Sequence, residues 1–359
     1  MTTFKSWTPE EELWLLKNKT LSMNALVEHL GRTSSSIRKK IARLEEENKI
    51  RQSNLIQISL PKYEKQITLP IPPQEDKRAD DYAYLTVSDI HIGYIDDHGH
   101  SINDEVKEKL DNYRDNVLHL LKYHNPVKHF RLLFLGDMIQ GQENYDAQKD
   151  DSQPISIQLS EAINILYHWL IPFLDTLYSM GIQTDIYCIA GNHGRTSKYR
   201  SDVKDNFDLT IYNWLRAAIT DRYKGLNFYI DPETLLIKEG GKTIAVEHGD
   251  KVRGLSLASM QKRIMNVSGM YRTILDAYVM GHWHTAGDLY VGNTRLIMSG
   301  TLQGETDLSN AMGILPQENW YFFSTKGGHW GFTYRIDYRP RNKGKGSVMS
   351  NGDKNHAKA

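Results

Sequence analysis

Apolar residues recur at two different periods along the chain, and the change of period divides it. Over residues 9–44 the spacing is helical: Leu13, Trp14 and Leu16, then Leu26, Val27 and Leu30, then Ile37, Ile41 and Leu44. The punctuation agrees with three short helices. Thr8-Pro9-Glu10-Glu11 reads as a helix start, with Thr8 as N-cap, Pro9 at the first helical position and Glu11 closing a capping box. Ser22 can cap a second helix that Gly31 ends, and Thr33 or Ser34 can cap a third. A tight glycine-containing turn before the last helix is the plan of a helix-turn-helix. Pro61, Pro70, Pro72 and Pro73 then interrupt the chain, followed by the charged stretch 74–78. This predicts a linker over 51–80, with one or two short edge strands around 55–60 and 66–69.

From residue 82 the pattern becomes α/β. Short apolar runs at 82–87, 130–135 and 184–190 predict strands, and the stretches 103–124 and 155–180 between them carry helical periodicity. A further helix is expected near 202–223. The chain then turns strand-rich, with hairpin signals at Glu239-Gly240-Gly241-Lys242 and around Gly292-Asn293. Parallel pairing first and antiparallel pairing later imply a layered sandwich. Residues 81–338 are therefore expected to form one α/β domain. The basic tail 339–359, rich in Gly, Lys, Asn and Ser, is expected to be disordered.

Composition narrows the class only modestly. The 359 residues carry 44 Lys+Arg against 44 Asp+Glu, which excludes a uniformly basic nucleic-acid coat protein and directs attention to charge by segment. The lone Cys188 sits in an apolar run, so no intrachain disulfide can form. No apolar run approaches the ~18 residues of a membrane span, and the start Met1-Thr2-Thr3-Phe4-Lys5 lacks the apolar region of a signal peptide. Together these predict a reducing, cytoplasmic location without a membrane partner.

Metal-ligand residue types gather where predicted strands run out into loops, the place where α/β folds build their sites. Asp89-Ile90-His91, Gly136-Asp137, Gly191-Asn192-His193, His248-Gly249-Asp250 and Gly281-His282-Trp283-His284 each follow an apolar run. On an extended backbone residues i and i+2 share a face, so Asp89 with His91, and one or both of His282 and His284, are expected to chelate together. The mixture of carboxylate, imidazole and amide oxygen suits Mn, with Fe or Zn as alternatives, rather than a thiolate zinc site or a calcium cage. Two ions are expected, because the candidates exceed the needs of one.

This ordered series, D-x-H, G-D, G-N-H, H-G and G-H-x-H, resembles the calcineurin-like metallophosphoesterase superfamily over about residues 82–300. The resemblance implies an α/β/β/α sandwich behind a small all-α module. It implies one ion held at Asp89, His91, Asp137 and His284 and a second at Asp137, Asn192, His248 and His282. Asp137 would bridge the two, and His193 would serve as the acid for the leaving oxygen. Such a pair of ions activates water and neutralises phosphate oxygens. Two departures stand out. The second aspartate of the frequent G-D-x-x-D is Gln140 here, and the Asp-Arg-Gly extension of protein phosphatases is absent, which disfavours a Ser/Thr protein phosphatase. The commonly acidic residue after G-N-H is Gly194, followed by Arg195. Asp250 or another acid would then have to orient His193, and Arg195 is a candidate contact for a substrate phosphate. Of the 14 histidines, the others, among them His119, His124 and His168, are read as structural or surface residues. Glu143, Asp146, Asp150 and Asp151 are read as a solvated acidic loop, and Trp283 as either packing or a cleft wall.

Cations in the front segment concentrate on the third helix. Arg32, Ser34, Ser35, Arg38, Lys39 and Arg43 are the candidate DNA contacts, since the start of a recognition helix reaches bases while flanking cations and hydroxyls hold phosphates. Residues 7–44 resemble Myb/SANT-like modules; the alternative is a helical bundle for protein interaction. The expected activity is two-metal phosphodiester hydrolysis, with DNA as the substrate and partner and a likeness to repair nucleases. The alternatives are a small-molecule phosphatase, a cyclic-nucleotide phosphodiesterase, or a non-catalytic DNA-binding scaffold of replication or repair. A homodimer and replication or repair partner proteins both fit these readings.

Overall fold

The computed structural model describes residues 7–18, 21–53, 66–67, 81–96, 99–142, 151–197, 202–304, 313 and 315–338. The expected strand at 55–60, the acidic positions Glu143, Asp146 and Asp150, and the tail 339–359 lie outside the described residues. The chain divides into two compact units, Met1–Ser59 and Leu60–Ala359.

The first unit contains α1 (Pro9–Asn18), α2 (Met23–Leu30) and α3 (Ser34–Ser53). The capping box forms as expected: the Thr8 N–H donates to the Glu11 carboxylate at 2.9 Å, and the Glu11 N–H donates to the Thr8 hydroxyl at 3.2 Å. Ser22 accepts from the Ala25 N–H, and Gly31 ends α2 in the left-handed conformation. Thr33 rather than Ser34 caps α3, accepting the Ser36 N–H at 3.3 Å. Leu15, Leu26, Leu30, Ile37 and Leu44 form the core, with Trp7, Trp14 and Val27 packed on it. The periodic apolar residues thus close on one another, although Leu15 is buried without having been singled out. Helix α3 runs past the expected boundary at residue 50.

The second unit is built on two sheets. β1 (Asp81–Val87), α4 (Asn103–Tyr123), β2 (His129–Phe134), α5 (Ile155–Ser179), β3 (Gln183–Ile189), α6 (Phe207–Ile219) and β4 (Asn227–Asp231) form successive parallel crossover units. β10 (Asn319–Lys326) and β11 (His329–Asp337) add antiparallel strands beside β1, completing the order β11-β10-β1-β2-β3-β4. The second sheet contains β5 (Leu235–Glu239), β6 (Lys242–Val246), β7 (Ala277–Met280), β8 (Gly287–Val291) and β9 (Thr294–Met298), in the order β5-β6-β7-β9-β8. α7 (Leu257–Tyr271) connects β6 to its parallel neighbour β7. Both hairpins lie where glycine allows positive φ: Gly240 and Gly241 between β5 and β6, and Gly292 between β8 and β9. Of the expected strand at 66–69, Ile67 makes one parallel bridge to Tyr223.

Three apolar layers hold this unit together. Val87, Leu132, Phe134 and Ile186 pack under α4, α5 and α6, represented by Tyr113, Leu166, Trp169 and Tyr212. Tyr84, Leu133, Ile189, Val246, Val279 and Ile297 fill the space between the sheets. Ala245, Tyr278 and Leu296 pack against Met260, Ile264 and Val267 of α7. The layering is α/β/β/α, because successive strand residues alternate between a helix-facing and a sheet-facing side.

Candidate metal centre

Every segment singled out for its ligand types follows a strand with a parallel neighbour. Asp89 and His91 follow β1, Asp137 follows β2, Asn192 and His193 follow β3, His248 follows β6, and His282 and His284 follow β7. These are the carboxyl ends of the strands, where both sheets direct their loops to one place. The structure brings Asp89, His91 and His284 into one group and Asp137, His248 and His282 into another, with His91, Asp137 and His193 forming a third overlapping set.

The expected chelate geometry is corrected in one respect. Asp89 and His91 do not lie on extended backbone; their φ angles are 51° and 54°, and Asp137, His282 and His284 are also left-handed at 56°, 72° and 52°. Among the described residues six non-glycine residues have positive φ, and five of them are these candidate ligands. Such conformations cost about 1–3 kcal/mol each and persist where surrounding bonds over-determine them. Here the N–H groups of Ile90 and His91 both donate to the Asp137 carbonyl, at 3.0 and 3.1 Å, and the Asp89 N–H donates to the Gly136 carbonyl at 3.1 Å. Asp89 and His91 nevertheless serve one group, as expected, whereas His282 and His284 serve different ones.

Lone pairs converge throughout the centre. His248 Nδ1 lies 2.7 Å from the Leu135 carbonyl, which makes it the proton-bearing nitrogen and aims Nε2 inward. That Nε2 stands 2.8 Å from Asn192 Oδ1, 3.0 Å from Asp137 Oδ2 and 3.2 Å from His282 Nδ1. On the other side His91 Nε2 and His284 Nε2 approach to 3.1 Å, with Asp89 Oδ1 3.5 Å from the latter. The Asp89 Oδ2 atom accepts from the Ser88 hydroxyl and from the His282 N–H, whereas Oδ1 is buried without a hydrogen-bond partner. So many acceptors facing one another demand positive charge between them. The donor set, with one carboxylate between two groups of imidazole, carboxylate and amide oxygen, fits two divalent ions.

The protonation tendencies express the same demand. Burial on its own would raise Asp137 and Asp89, yet both are held below the usual carboxyl range, Asp137 by His248 and His193 and Asp89 by His284 and His248. Burial would lower His248, but Asp137 and Asp89 raise it to about 10. Burial and then the charge of His248 lower His282 to about 4, and burial with His193 and His284 holds His91 well below its ordinary value. The cluster therefore concentrates positive charge at His248 Nε2, where a proton and a metal ion would compete.

His193 places its backbone N–H on Asp137 Oδ1 at 2.7 Å, and its Nδ1 faces the Gln140 carbonyl at 2.7 Å. The expectation that Asp250 orients this ring is not met: Asp250 pairs with Arg195, and a main-chain carbonyl sets the tautomer of His193. Arg195 is exposed on this rim. Trp283 packs partly buried beside the α7 layer and edge-on to His282. His119, His124 and His168 are exposed, as expected. On α3, Ser34, Ser35, Arg38, Lys39 and Arg43 are exposed. Arg32 must leave the DNA-contact set: it forms a fork with the Glu11 carboxylate, at 3.2 and 2.7 Å, and lies over Trp7. Its side chain is 7% exposed.

Residue patterns alone did not single out Asp208, which is fully buried beneath the centre. Burial and then the charge of Asp137 push it up to about 7, opposed by N–H donation from Gly191 and Asp137. Asn206-Phe207-Asp208 is legible as a helix start; what its carboxylate reaches is not. Glu247 was missed as well. Buried beside His248, it accepts from Arg263 at 2.7 and 2.6 Å and from the Tyr278 hydroxyl at 2.6 Å, anchoring the end of β6 to α7.

No protein-family model matches the chain, and no curated protein sequence matches it. Solved structures do match. A novel archaeal phosphodiesterase is 13% identical, over 71% of this chain and 99% of its own, with a TM-score of 0.34. Vps29 of Entamoeba histolytica complexed with zinc is 14% identical, over 71% and 98%, at 0.30. A hypothetical protein of Pyrococcus horikoshii is 10% identical, over 72% and 89%, at 0.38. At these values the likeness carries no functional weight, which the site itself has to bear.

Proposed function

We propose that the chain is a metallophosphoesterase-type, two-metal-dependent phosphodiester hydrolase that acts as a nuclease on DNA. The observation that carries the reading is the arrangement around Asp137: two groups of inward-facing lone pairs, drawn from five loops, meet at one buried carboxylate. Asp89, His91, Asp137 and His284 would hold one ion, and Asp137, Asn192, His248 and His282 the other. Bound divalent ions supply an activated water and charge neutralisation at the phosphate. Manganese is the first choice for this donor set, with iron or zinc as alternatives.

The chain's own residues divide the remaining work. His193, tied to Gln140 through Nδ1, would give a proton to the departing oxygen from its other ring nitrogen. Arg195, oriented by Asp250, offers a guanidinium that matches a non-bridging phosphate oxygen. Ser34, Ser35, Arg38, Lys39 and Arg43 at the start and exposed side of α3 support DNA as the substrate, in the manner of a helix-turn-helix.

The test is hydrolysis of defined single- and double-stranded oligonucleotides with Mn2+, beside bis-p-nitrophenyl phosphate and an Asp137→Asn control. Cleavage of oligonucleotides that is lost in the control supports the proposal. Activity confined to the small ester sinks the nuclease assignment while leaving the hydrolase one. Inactivity on every substrate, with metal bound, favours a DNA-binding scaffold.

A further inference from the structure

Asp208, the second residue of α6, is tied to both central ligand loops at once. Its Oδ2 accepts the N–H of Asp137 at 2.9 Å and of Gly191 at 2.8 Å, and its Oδ1 accepts the N–H of Met138 at 3.1 Å. Asn206, the N-cap of α6, accepts the Asp208 N–H at 2.8 Å and donates its side-chain amide to the Gly191 carbonyl at 2.7 Å. The loops after β2 and β3 therefore hang on one side chain and its cap. The packing leaves no slack: a Cβ on Gly191 would run into the Asp137 carboxylate and its N–H. A Cβ on Gly194 would meet the Asn206 amide and lie 3.1 Å from Asp208 Cγ. The volume beside the site's G-N-H segment into which residue 194 would project is thus filled from α6.

We propose that Asp208 is a positioning residue that holds Asp137 in the left-handed conformation needed for its carboxylate to face both ligand groups. This inference rests on the bridging role assigned to Asp137 above. Three N–H groups converging on two oxygens call for an acceptor with no donor of its own, which a carboxylate is and an amide is not. Asparagine at this position would set its NH2 against the Met138 N–H or, flipped, against those of Asp137 and Gly191, and either orientation loosens the Asp137-Met138 turn. α6 is otherwise a packing helix whose Ile211, Tyr212 and Leu215 join the core, so its first turn is rigidly placed.

The experiment loads the full-length chain, Asp208→Asn and Asn206→Ala with Mn2+, and records metal content and the electron paramagnetic resonance spectrum. Melting in EDTA is followed in parallel. In the wild type two ions sharing Asp137 give a spin-coupled pair signal. Asp208→Asn is expected to bind Mn2+ at least about tenfold more weakly and to give only the signal of isolated ions, with Asn206→Ala intermediate. A merely structural residue would lower the melting temperature while the folded fraction kept its coupled signal, and that result overturns the inference. If Asp208→Asn fails to fold, Asn206→Ala decides: an unaltered coupled signal overturns the inference and a weakened one supports it. A wild-type chain that forms no coupled pair overturns the bridging assignment, and the role of Asp208 falls with it.

Discussion

Replacing Asp137 by asparagine tests the centre at its most loaded point. The side chain is 1% exposed, and asparagine has the same shape and can still accept the His193 N–H that Oδ1 now receives. What the substitution removes is charge. The rise of His248 from 6.5 to about 10 occurs against burial, with Asp137 the leading cause and Asp89 and Asp250 contributing. At about 1.4 kcal/mol per tenfold step, the rise corresponds to about 5 kcal/mol in favour of a positive charge at that nitrogen. Asp137 is the largest of the charges behind that rise, so losing its charge should cost on the order of a few kcal/mol, at least about tenfold in affinity for a cation. A divalent ion should feel more. Titration calorimetry with Mn2+, with metal content measured after gel filtration, reads this directly, and circular dichroism checks that the fold is kept. A folded Asp137→Asn chain that retains two ions with a dissociation constant within about threefold of wild type would refute both the bridge and the electrostatic argument behind it.

Further outcomes follow from the same geometry. In EDTA, protonated His248 contributes stability that is complete below its unfolded value of 6.5 and is lost as pH rises through about 10. Asp208, raised to about 7, loses its proton mostly below that window, so the melting temperature should fall between pH 7 and 10. Mn2+, which displaces the proton, should flatten the fall, and an equally flat EDTA profile would contradict the assignment. His193→Ala should keep its metal content while kcat drops about 10²–10⁴-fold; full activity removes it from the mechanism. Reversing Arg38, Lys39 and Arg43 to glutamate should weaken DNA binding and flatten its salt dependence without changing hydrolysis of the small ester, and an unchanged salt slope excludes α3 as the contact. Arg131 joins β2 to Glu239 of β5 at 2.7 and 2.8 Å and to Asp185 of β3 at 3.2 Å. Arg131→Ala leaves both carboxylates without their counter-charge, Asp185 keeping its hydrogen bonds from Asn227, and should cost about 3–5 kcal/mol in denaturant unfolding; a cost below about 1 kcal/mol would show that water reaches them.

Local signals sufficed for the elements and for the identities of the ligands. Helical periodicity located α4 and α5 to within a residue or so, and Thr8 with Glu11, Ser22 and Gly31 marked the ends of α1 and α2, because caps and periods act over a few residues of chain. Five ligand segments after five apolar runs were legible for the same reason: each is a short string whose meaning lies in its own residue types. The sequence also carried the glycines, yet not the reason Gly191 must be one, which is the Asp137 carboxylate pressed against it.

Tertiary structure decided the geometry. Strand alternation suggested that i and i+2 would chelate together; Asp89 and His91 do share a group, but through left-handed rather than extended backbone, and the equally left-handed His282 and His284 serve different groups. That strain is sustained by bonds between loops distant in sequence. Arg32 looked like one more cation for phosphate until folding set it against Glu11 and Trp7. Asp208 looked like an ordinary first-turn acid until α6 carried it beneath two other loops. Composition and spacing specify what a residue can do; only the packing of remote segments specifies what it faces, and charge and hydrogen bonding depend on the latter.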